Sequence, residues 1–301
     1  MTRALVVGCG YVGGVLATLL RDEGLQVWGL RRRPDRSETT IQWLAADVGD
    51  AKGVSEALAP LCDGESLDVH YLVSAGGFDD EAYRTAYVRG LANVLSALAG
   101  AAVRRVVFAG STAVYGQADG EWVDEDSLTE PNGFSGRRLL EGEALLADAP
   151  MTTVAVRFGG IYGPGRTRLI DRIADGQAIA TADRPQFRSR MHRDDCARTM
   201  RHLANVASPD ACYVAVDDEP TDQRDVQAWL CEQLGVSQSA LTPVTSSARG
   251  GNKRCRNARL RGTGLELGFP TYREGYGALL SDLGLGGAGT VGSSGDVDTS
   301  R

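Results

Sequence analysis

Near its start the chain carries the stretch Ala4-Leu5-Val6-Val7-Gly8-Cys9-Gly10-Tyr11-Val12-Gly13-Gly14. An apolar, partly β-branched run leads directly into glycines with the spacing Gly-x-Gly-x-x-Gly, and apolar residues then follow at helical spacing. This pattern predicts a buried strand that turns at the glycines into a helix.

Each glycine of this turn has a physical reason to be glycine in a dinucleotide site. Gly8 permits the tight turn, Gly10 lets the backbone approach a pyrophosphate, and Gly13 lets the helix pack closely on the strand. The diphosphate would lie on the N–H groups that begin the helix, which are those around Tyr11 and Val12. A glycine-rich turn that binds nothing is the alternative. Strand, turn and helix all agree with the dinucleotide site, so we favour it.

The end of the second predicted strand bears on the choice of cofactor. The run 25–30 reads as a strand and is followed by Arg31-Arg32-Arg33-Pro34. An acidic residue about 20 positions past the glycines would bind the ribose 2′-hydroxyl of NAD, whereas arginine accommodates the 2′-phosphate of NADP. Arg31 and Arg32 therefore favour NADP, with NAD as an open option and a solvated basic turn as the alternative.

Further along, strands and helices alternate. Strand-like runs at 42–48, 67–73 and 104–109 are separated by helical patterns, which predicts an α/β fold with a Rossmann-type, doubly wound parallel sheet. Such sheets bind ligands at the carboxyl ends of their strands. Three predicted cofactor-binding residues follow the run 67–73 at that edge: Ser74, Ala75 and Gly76.

The composition limits the classes of partner. The chain has 301 residues, is 43% hydrophobic and carries a net charge of −7, which argues against a nucleic-acid or anionic-membrane binder. The first strand begins almost at Met1, so we expect no targeting segment and a cytoplasmic protein. Six cysteines lie without a CxxC pair, and we expect no metal site. The expected partner is a small-molecule substrate that can carry phosphate, and a homodimer is compatible with these features.

The segment after the fifth strand brings in a family resemblance. Ser111-Thr112-Ala113-Val114-Tyr115-Gly116 resembles the Ser-x-x-Val-Tyr-Gly signature of the extended short-chain dehydrogenase/reductases, the NAD-dependent epimerase/dehydratase family. Further segments match in order: Asp47-Val48, Arg157–Gly165 and Met191–Ala197. Asp217–Thr221 and Phe269–Tyr276 extend the resemblance to roughly residue 280. The glycine spacing differs from the family's usual Gly-x-x-Gly-x-x-Gly and indicates an atypical branch.

The resemblance implies particular residues and lobes. Asp47 and Val48 would lie at the adenine, and Ser111 would be the serine that orients the substrate oxygen. Residues 1–165 would form the NAD(P)-binding lobe and 166–283 mainly a smaller C-terminal substrate lobe, with strands that return to the sheet. The remaining residues, 284–301, show no periodicity, and we expect them to be a disordered tail.

The resemblance also shows what is missing. Most of the family uses Tyr-x-x-x-Lys, in which the tyrosine exchanges a proton with the substrate while nicotinamide gives or takes hydride. Alignment on Leu-Glu-Gly-Glu places Ser135 at the tyrosine and Leu139 at the lysine, and a shift by one residue places Phe134 and Arg138 there. Neither alignment restores the pair.

No other lysine can take part in that motif. All but two of the 32 Lys and Arg residues are arginine, and the lysines, Lys52 and Lys253, do not lie four residues after any tyrosine. Since an unperturbed phenol has a pKa of ~10, a tyrosine without an adjacent cation is a poor base at neutral pH.

Three functions stay open. The first is an NAD(P)-dependent oxidoreductase or epimerase-like enzyme that acts on a carbonyl or hydroxyl group through Ser111. Its proton would come from Tyr115, Tyr162 or the substrate, and Arg138 would replace the lysine electrostatically. The second is an enzyme acting on a nucleotide sugar, whose diphosphate would be held by Arg157, Arg166 or Arg168. The third is a non-catalytic NADP(H)-binding sensor or partner protein. We favour an enzyme, because the substrate-side segments 162–165 and 190–195 are present.

Overall fold

The computed structural model describes residues 3–34, 37–180, 185–243 and 251–285. The tail predicted to be disordered lies outside these ranges from residue 286 onward. The strands are β1 (Arg3–Val7), β2 (Gln26–Arg31), β3 (Gln42–Ala45), β4 (Leu67–Tyr71), β5 (Val103–Ser111), β6 (Glu121–Val123), β7 (Thr152–Phe158), β8 (Gly160–Tyr162), β9 (Phe187–Arg188), β10 (Arg190–His192), β11 (Cys212–Ala215), β12 (Thr221–Asp222) and β13 (Lys253–Cys255).

Helices alternate with the strands. They are α1 (Tyr11–Asp22), α2 (Ala51–Leu58), α3 (Asp80–Arg84), α4 (Gly90–Ala97), α5 (Phe134–Ala147), α6 (Arg168–Ala174), α7 (Arg193–Asn205), α8 (Gln223–Leu234), α9 (Ala258–Gly262) and α10 (Tyr272–Asp282). Within the described ranges no helix is both long enough and apolar enough to cross a membrane.

Seven parallel strands form the central sheet. Their order is β3-β2-β1-β4-β5-β7-β11, so the chain starts in the middle, moves to one edge and then crosses back to build the other. This order confirms the predicted doubly wound sheet. The strands predicted at 42–48 and 67–73 end earlier than expected, at Ala45 and Tyr71, because the chain leaves the sheet at its carboxyl edge.

Three buried apolar clusters hold the layers together. The first cluster lies between one face of the sheet and α2, α4 and α5, and it includes Leu91 of α4. The second cluster lies between the other face and α1 and α7, and it includes Leu16 of α1. A third cluster, which includes Tyr276, joins α6, α8 and α10 outside the sheet. The two-stranded pairs β8–β10, β9–β12 and β6–β13 connect this part of the chain to the carboxyl edge of the sheet.

The turn between β1 and α1 brings backbone against backbone. Gly8 has φ +85°, a left-handed conformation that favours glycine, and its N–H donates to the Leu30 carbonyl oxygen at 2.9 Å. A Cβ added at Gly13 would lie 2.5 Å from the Gly8 carbonyl oxygen, a distance that real side chains do not reach. The glycine at position 13 therefore permits the helix to start directly above the end of the strand.

The helix predicted at 83–99 differs from a simple α-helix. It begins at Asp80 and contains a π-helical turn, Thr85–Arg89, between α3 and α4. The hydroxyl of Tyr71, at the end of β4, donates to the Ala86 carbonyl oxygen at 2.5 Å inside this turn. A side chain from the sheet therefore satisfies one carbonyl oxygen of the π-helical turn. No local sequence pattern indicates this hydrogen bond.

Two neighbouring glycines of α1 give a matched test of this packing. Gly13→Ala should lower the free energy of unfolding by about 1–3 kcal/mol, because the new methyl group meets the Gly8 carbonyl. A Cβ at Gly14 would meet nothing within 4 Å. Gly14→Ala should therefore raise the stability by about 0.5–1 kcal/mol through helix propensity. Chemical denaturation measures both variants, and equal stabilities would contradict the assigned contact.

Candidate active site

A cleft of about 980 Å³ follows the carboxyl ends of β1, β2, β4 and β5. Ten residues that the sequence predicts to bind the cofactor line this cleft: Gly8, Gly10, Tyr11, Val12, Arg31, Arg32, Asp47, Val48, Ser74 and Gly76. The other two predicted residues have different positions. Gly13 packs beneath the turn, and Ala75 lies between Ser74 and Gly76 without being part of the lining.

The N-terminus of α1 faces this cleft without a cap. Gly10 is the N-cap residue, and it has no side chain that could accept a hydrogen bond from the N–H groups of the first turn. Its carbonyl oxygen accepts the first hydrogen bond of the helix, from the Gly14 N–H at 2.7 Å. The first N–H groups of a helix have no partner within the helix, and they form the positive end of its dipole. Backbone N–H groups in this arrangement suit an anion such as a phosphate.

Tyr11 stands beside that helix end between two cations. The guanidinium of Arg166 lies 4.0 Å from the centre of the tyrosine ring, and that of Arg193 lies 5.4 Å from it. The hydroxyl group is buried and has no hydrogen-bond partner among the described residues. Burial raises the pKa of this phenol, so it stays protonated and keeps its proton for an acceptor.

The end of the cleft beside β2 is lined by basic residues. Arg31, Arg32 and Arg33 line it where β2 ends. Arg32 Nη1 lies 4.0 Å from Asp47 Oδ2, and both side chains are more than half exposed. Such an exposed, loose ion pair contributes little stability, so the guanidinium can turn to another anion at low cost.

The π-helical turn forms a wall of the cleft that the sequence did not indicate. Thr85, Ala86, Tyr87 and Arg89 all line it. Burial raises the pKa of Tyr87 to about 12.

A second, smaller cavity of about 180 Å³ adjoins this cleft. Gly110 and Phe158 line the large cleft, while the next residues of the chain, Ser111 and Gly159, line the small cavity. Both spaces are therefore lined by residues from the carboxyl ends of β5 and β7. The remaining lining residues of the small cavity are Thr112, Ala113, Gly160, Phe187, Arg188, Ser189, Lys253 and Cys255.

Of the three predicted catalytic residues, Ser111 alone lines either of these two cavities. Its Oγ accepts a hydrogen bond from the Ala113 N–H at 3.2 Å, as the cap of a short 3₁₀ turn. A hydroxyl group that accepts in this way still has its own proton to donate. Ser111 can therefore hold a substrate oxygen in the small cavity.

Tyr115 has a different environment. Its hydroxyl donates to the Asp124 carbonyl oxygen at 2.7 Å and accepts from Arg157 Nη1 at 2.9 Å. The residue is buried, which raises the pKa of the phenol, and it lines neither cavity. The hydroxyl is thus bound within the protein, and we assign it no proton transfer below.

Arg138 is held by two carboxylates. Its guanidinium bonds Asp80 at 2.7 and 2.9 Å and Glu141 at 2.7 and 2.8 Å, and these hydrogen bonds raise its pKa. It lines neither cavity. Leu139, which the other alignment places at the family's lysine, is buried in the apolar cluster between α5 and the sheet. The structure therefore places no cation from α5 in the site.

The other residues predicted for proton transfer or diphosphate binding also differ in whether they line the cleft. Arg157 is buried and bonds Glu143 through two nitrogens, at 3.0 and 2.7 Å. Tyr162 is buried against Tyr276, with 4.6 Å between the ring centres. Arg166 alone among these candidates lines the large cleft, and Arg168 is an exposed residue that begins α6.

The comparison with known families agrees with this geometry. The sequence profile of the NAD-dependent epimerase/dehydratase family matches residues 4–214. The chain belongs to this family. The match covers the glycine turn, the central sheet and the segment around Ser111.

Individual relatives vary in how much of the chain they match. The protein YeeZ of Escherichia coli is 34% identical over 172 residues, which span 55% of this chain and 61% of the length of YeeZ. The 3-diazoavenalumate denitrifying reductase of a Streptomyces species is 28% identical and covers 91% of this chain and 99% of its own. A solved structure from Methylobacillus flagellatus, described as an NAD-dependent epimerase/dehydratase, is 36% identical with a TM-score of 0.77 and covers 93% of this chain and 98% of its own.

The family's cofactor can be tested against the lining of the cleft. The uncapped α1 terminus offers N–H donors to a pyrophosphate, and the buried hydroxyl of Tyr11 lacks an acceptor beside it. Both features suit the dinucleotide. Within the described ranges, no group of three or more His, Cys, Asp or Glu side chains is arranged to hold a metal ion.

Removal of the Tyr11 hydroxyl should change protein stability and dinucleotide affinity in opposite directions. Tyr11→Phe should raise the stability of the cofactor-free protein by about 1 kcal/mol, because a buried donor without a partner is removed. The same change should weaken dinucleotide binding by about 3- to 10-fold, the equivalent of one hydrogen bond. Thermal unfolding and calorimetric titration measure the two effects. A variant that binds the dinucleotide as tightly as the wild type would contradict the assigned contact.

Proposed function

We propose that this chain is an NADP(H)-dependent oxidoreductase that reduces or forms a carbonyl group on a small molecule. The observation that carries the proposal is that consecutive residues at the ends of β5 and β7 line the two cavities. The dinucleotide cleft ends at Gly110 and Phe158, and the cavity of Ser111 begins at the next residue of each strand. A nicotinamide bound at that end would lie beside a substrate in the small cavity.

Ser111 and Arg188 have different roles toward the substrate. The bound nicotinamide supplies or accepts a hydride. Ser111 donates its hydroxyl proton in a hydrogen bond to the substrate oxygen and so fixes the carbonyl. Arg188 lines the same cavity and offers a positive charge to an anionic part of the substrate. Holding the reactants in this way supplies part of the rate on its own.

The size of the small cavity favours a small substrate over a nucleotide sugar. Its volume is about 180 Å³, below the roughly 300–1,000 Å³ of typical pockets for drug-sized ligands. The relative from Streptomyces that matches nearly the whole chain is named as a reductase, which supports reduction as the reaction of this chain. A non-catalytic sensor would have no need of a second cavity at the nicotinamide end of the cleft.

The basic end of the cleft supports NADP(H) as the cofactor. Arg31 and Arg32 line it at the position where NAD-binding members of such folds carry an acid. Replacing both by alanine should weaken NADPH binding by about 10- to 100-fold, the equivalent of one charge-assisted hydrogen bond or more, and leave NADH binding unchanged. Nicotinamide fluorescence titrations measure both affinities.

The control for this double variant is Arg201→Ala, because Arg201 bonds Glu23 at 2.8 Å and does not line the cleft. Its affinity for NADPH should equal that of the wild type. Equal or tighter binding of NADH than of NADPH by the wild type would overturn the assignment of the two arginines.

Ser111 provides the test of the chemistry. NADPH consumption with a panel of small carbonyl compounds should identify substrates, and Ser111→Ala should lower kcat by about 10²-fold, because the carbonyl oxygen loses a positioned donor. NADPH affinity should stay the same. Ser55→Ala, an exposed position on α2, is the matched control. If the wild type consumes NADPH with none of the carbonyl classes, the sensor function replaces the enzyme.

A further inference from the structure

The small cavity contains an amine that no motif indicates. Lys253 comes from β13, which pairs in parallel with β6 and brings residue 253 opposite Glu121. Its side chain is 5% exposed, and Nζ donates to the Tyr115 carbonyl oxygen at 3.1 Å. Lys253 lines the same cavity as Ser111. The chain's other lysine, Lys52, is 86% exposed on α2.

This placement differs from that of the chain's other cations. Arginine is the ordinary basic residue of this sequence, and an arginine would serve for charge or for a bond to a carbonyl oxygen. Lysine differs from arginine in that burial shifts its pKa readily and lets it exchange a proton. A buried lysine in the same cavity as Ser111 therefore has a chemical property that arginine lacks.

We propose that Lys253 is the proton donor to the substrate oxygen in the small cavity. The inference rests on the proposed function and completes its chemistry. During reduction the carbonyl carbon takes the hydride of the reduced nicotinamide, an N–H bond of the Lys253 ammonium breaks, and an O–H bond forms on the substrate. The neutral amine then takes a proton from water. In the reverse direction the neutral amine accepts the proton of the alcohol.

The charged groups around Lys253 set the direction of its titration. Burial lowers the pKa of the ammonium, and the Arg188 guanidinium on β9 lowers it as well, while Cys255 on the same strand and Glu121 on β6 act in the opposite direction. The Tyr115 hydroxyl, whose own pKa burial raises, stays neutral. Reduction requires the protonated amine, so kcat should fall as the pH rises through the lowered pKa of Lys253.

Three variants separate proton transfer from a structural role. Lys253→Met should lower kcat for carbonyl reduction by about 10²–10⁴-fold, the usual contribution of a positioned acid, with NADPH affinity unchanged. Lys253→Arg keeps the positive charge and a donor for the Tyr115 carbonyl, yet a guanidinium with a pKa above ~12 is a poor acid, so kcat should stay low. Lys52→Met is the control and should match the wild type.

A second readout needs no turnover. Protein labelled with ¹³C,¹⁵N-lysine has two lysine side chains, so NMR titration follows Lys253 directly against Lys52. The Lys253 signal should titrate at the lower pH, and its midpoint should coincide with the alkaline fall of the wild-type kcat/KM, which reports the free enzyme. Circular dichroism of each variant confirms that the fold is intact.

The outcomes distinguish the two proposals. Restoration of the wild-type kcat by Lys253→Arg would show that Lys253 only ties β13 to the Tyr115 loop, and an unchanged kcat in Lys253→Met would overturn the proposal equally. In both cases the oxidoreductase function would stand, because the wild type transfers hydride. If the wild type reduces no carbonyl compound, or if Lys253 titrates with Lys52, the assignment of the proton donor is wrong.

Discussion

The close approach of α1 to the Gly8 carbonyl, which leaves no room for a side chain at position 13, is the constraint on which the site depends. With no side chain at position 13, α1 starts above the end of β1, and its unpaired N–H groups face the carboxyl edge of the sheet. Gly8 itself needs its left-handed backbone to release the chain from β1. A bulkier turn would displace the helix end from the cleft and remove its anion site.

The strand order then fixes where the ends of the cleft lie. Because β2 and β5 lie on opposite sides of β1, the basic residues after β2 are at one end of the cleft and Gly110 is at the other. β7 pairs with β5 along its length and brings Gly159 near Ser111. Segments from the C-terminal half, β9 and β13, close the small cavity over this junction. The sheet thus sets the order of cofactor and substrate along one line.

The sequence predicts this framework well, because its signals are local. The glycine turn, the helix after it and the arginines that end β2 are all read within some thirty residues. The contacts that decide the chemistry are distant in the chain. Arg138 is held by Asp80, 58 positions away, and Lys253 bonds the carbonyl of Tyr115, 138 positions away. A search for lysine four residues after tyrosine cannot find an amine that another strand delivers, and the π turn also depends on a tertiary bond, from Tyr71.

The most direct measurement is a crystal structure of the complex with NADPH. We expect the pyrophosphate on the N–H groups that begin α1, the 2′-phosphate near Arg32, and the nicotinamide beside Gly110 and Phe158, facing the cavity of Ser111. A dinucleotide bound in the reverse direction, or with its pyrophosphate away from α1, would contradict the account.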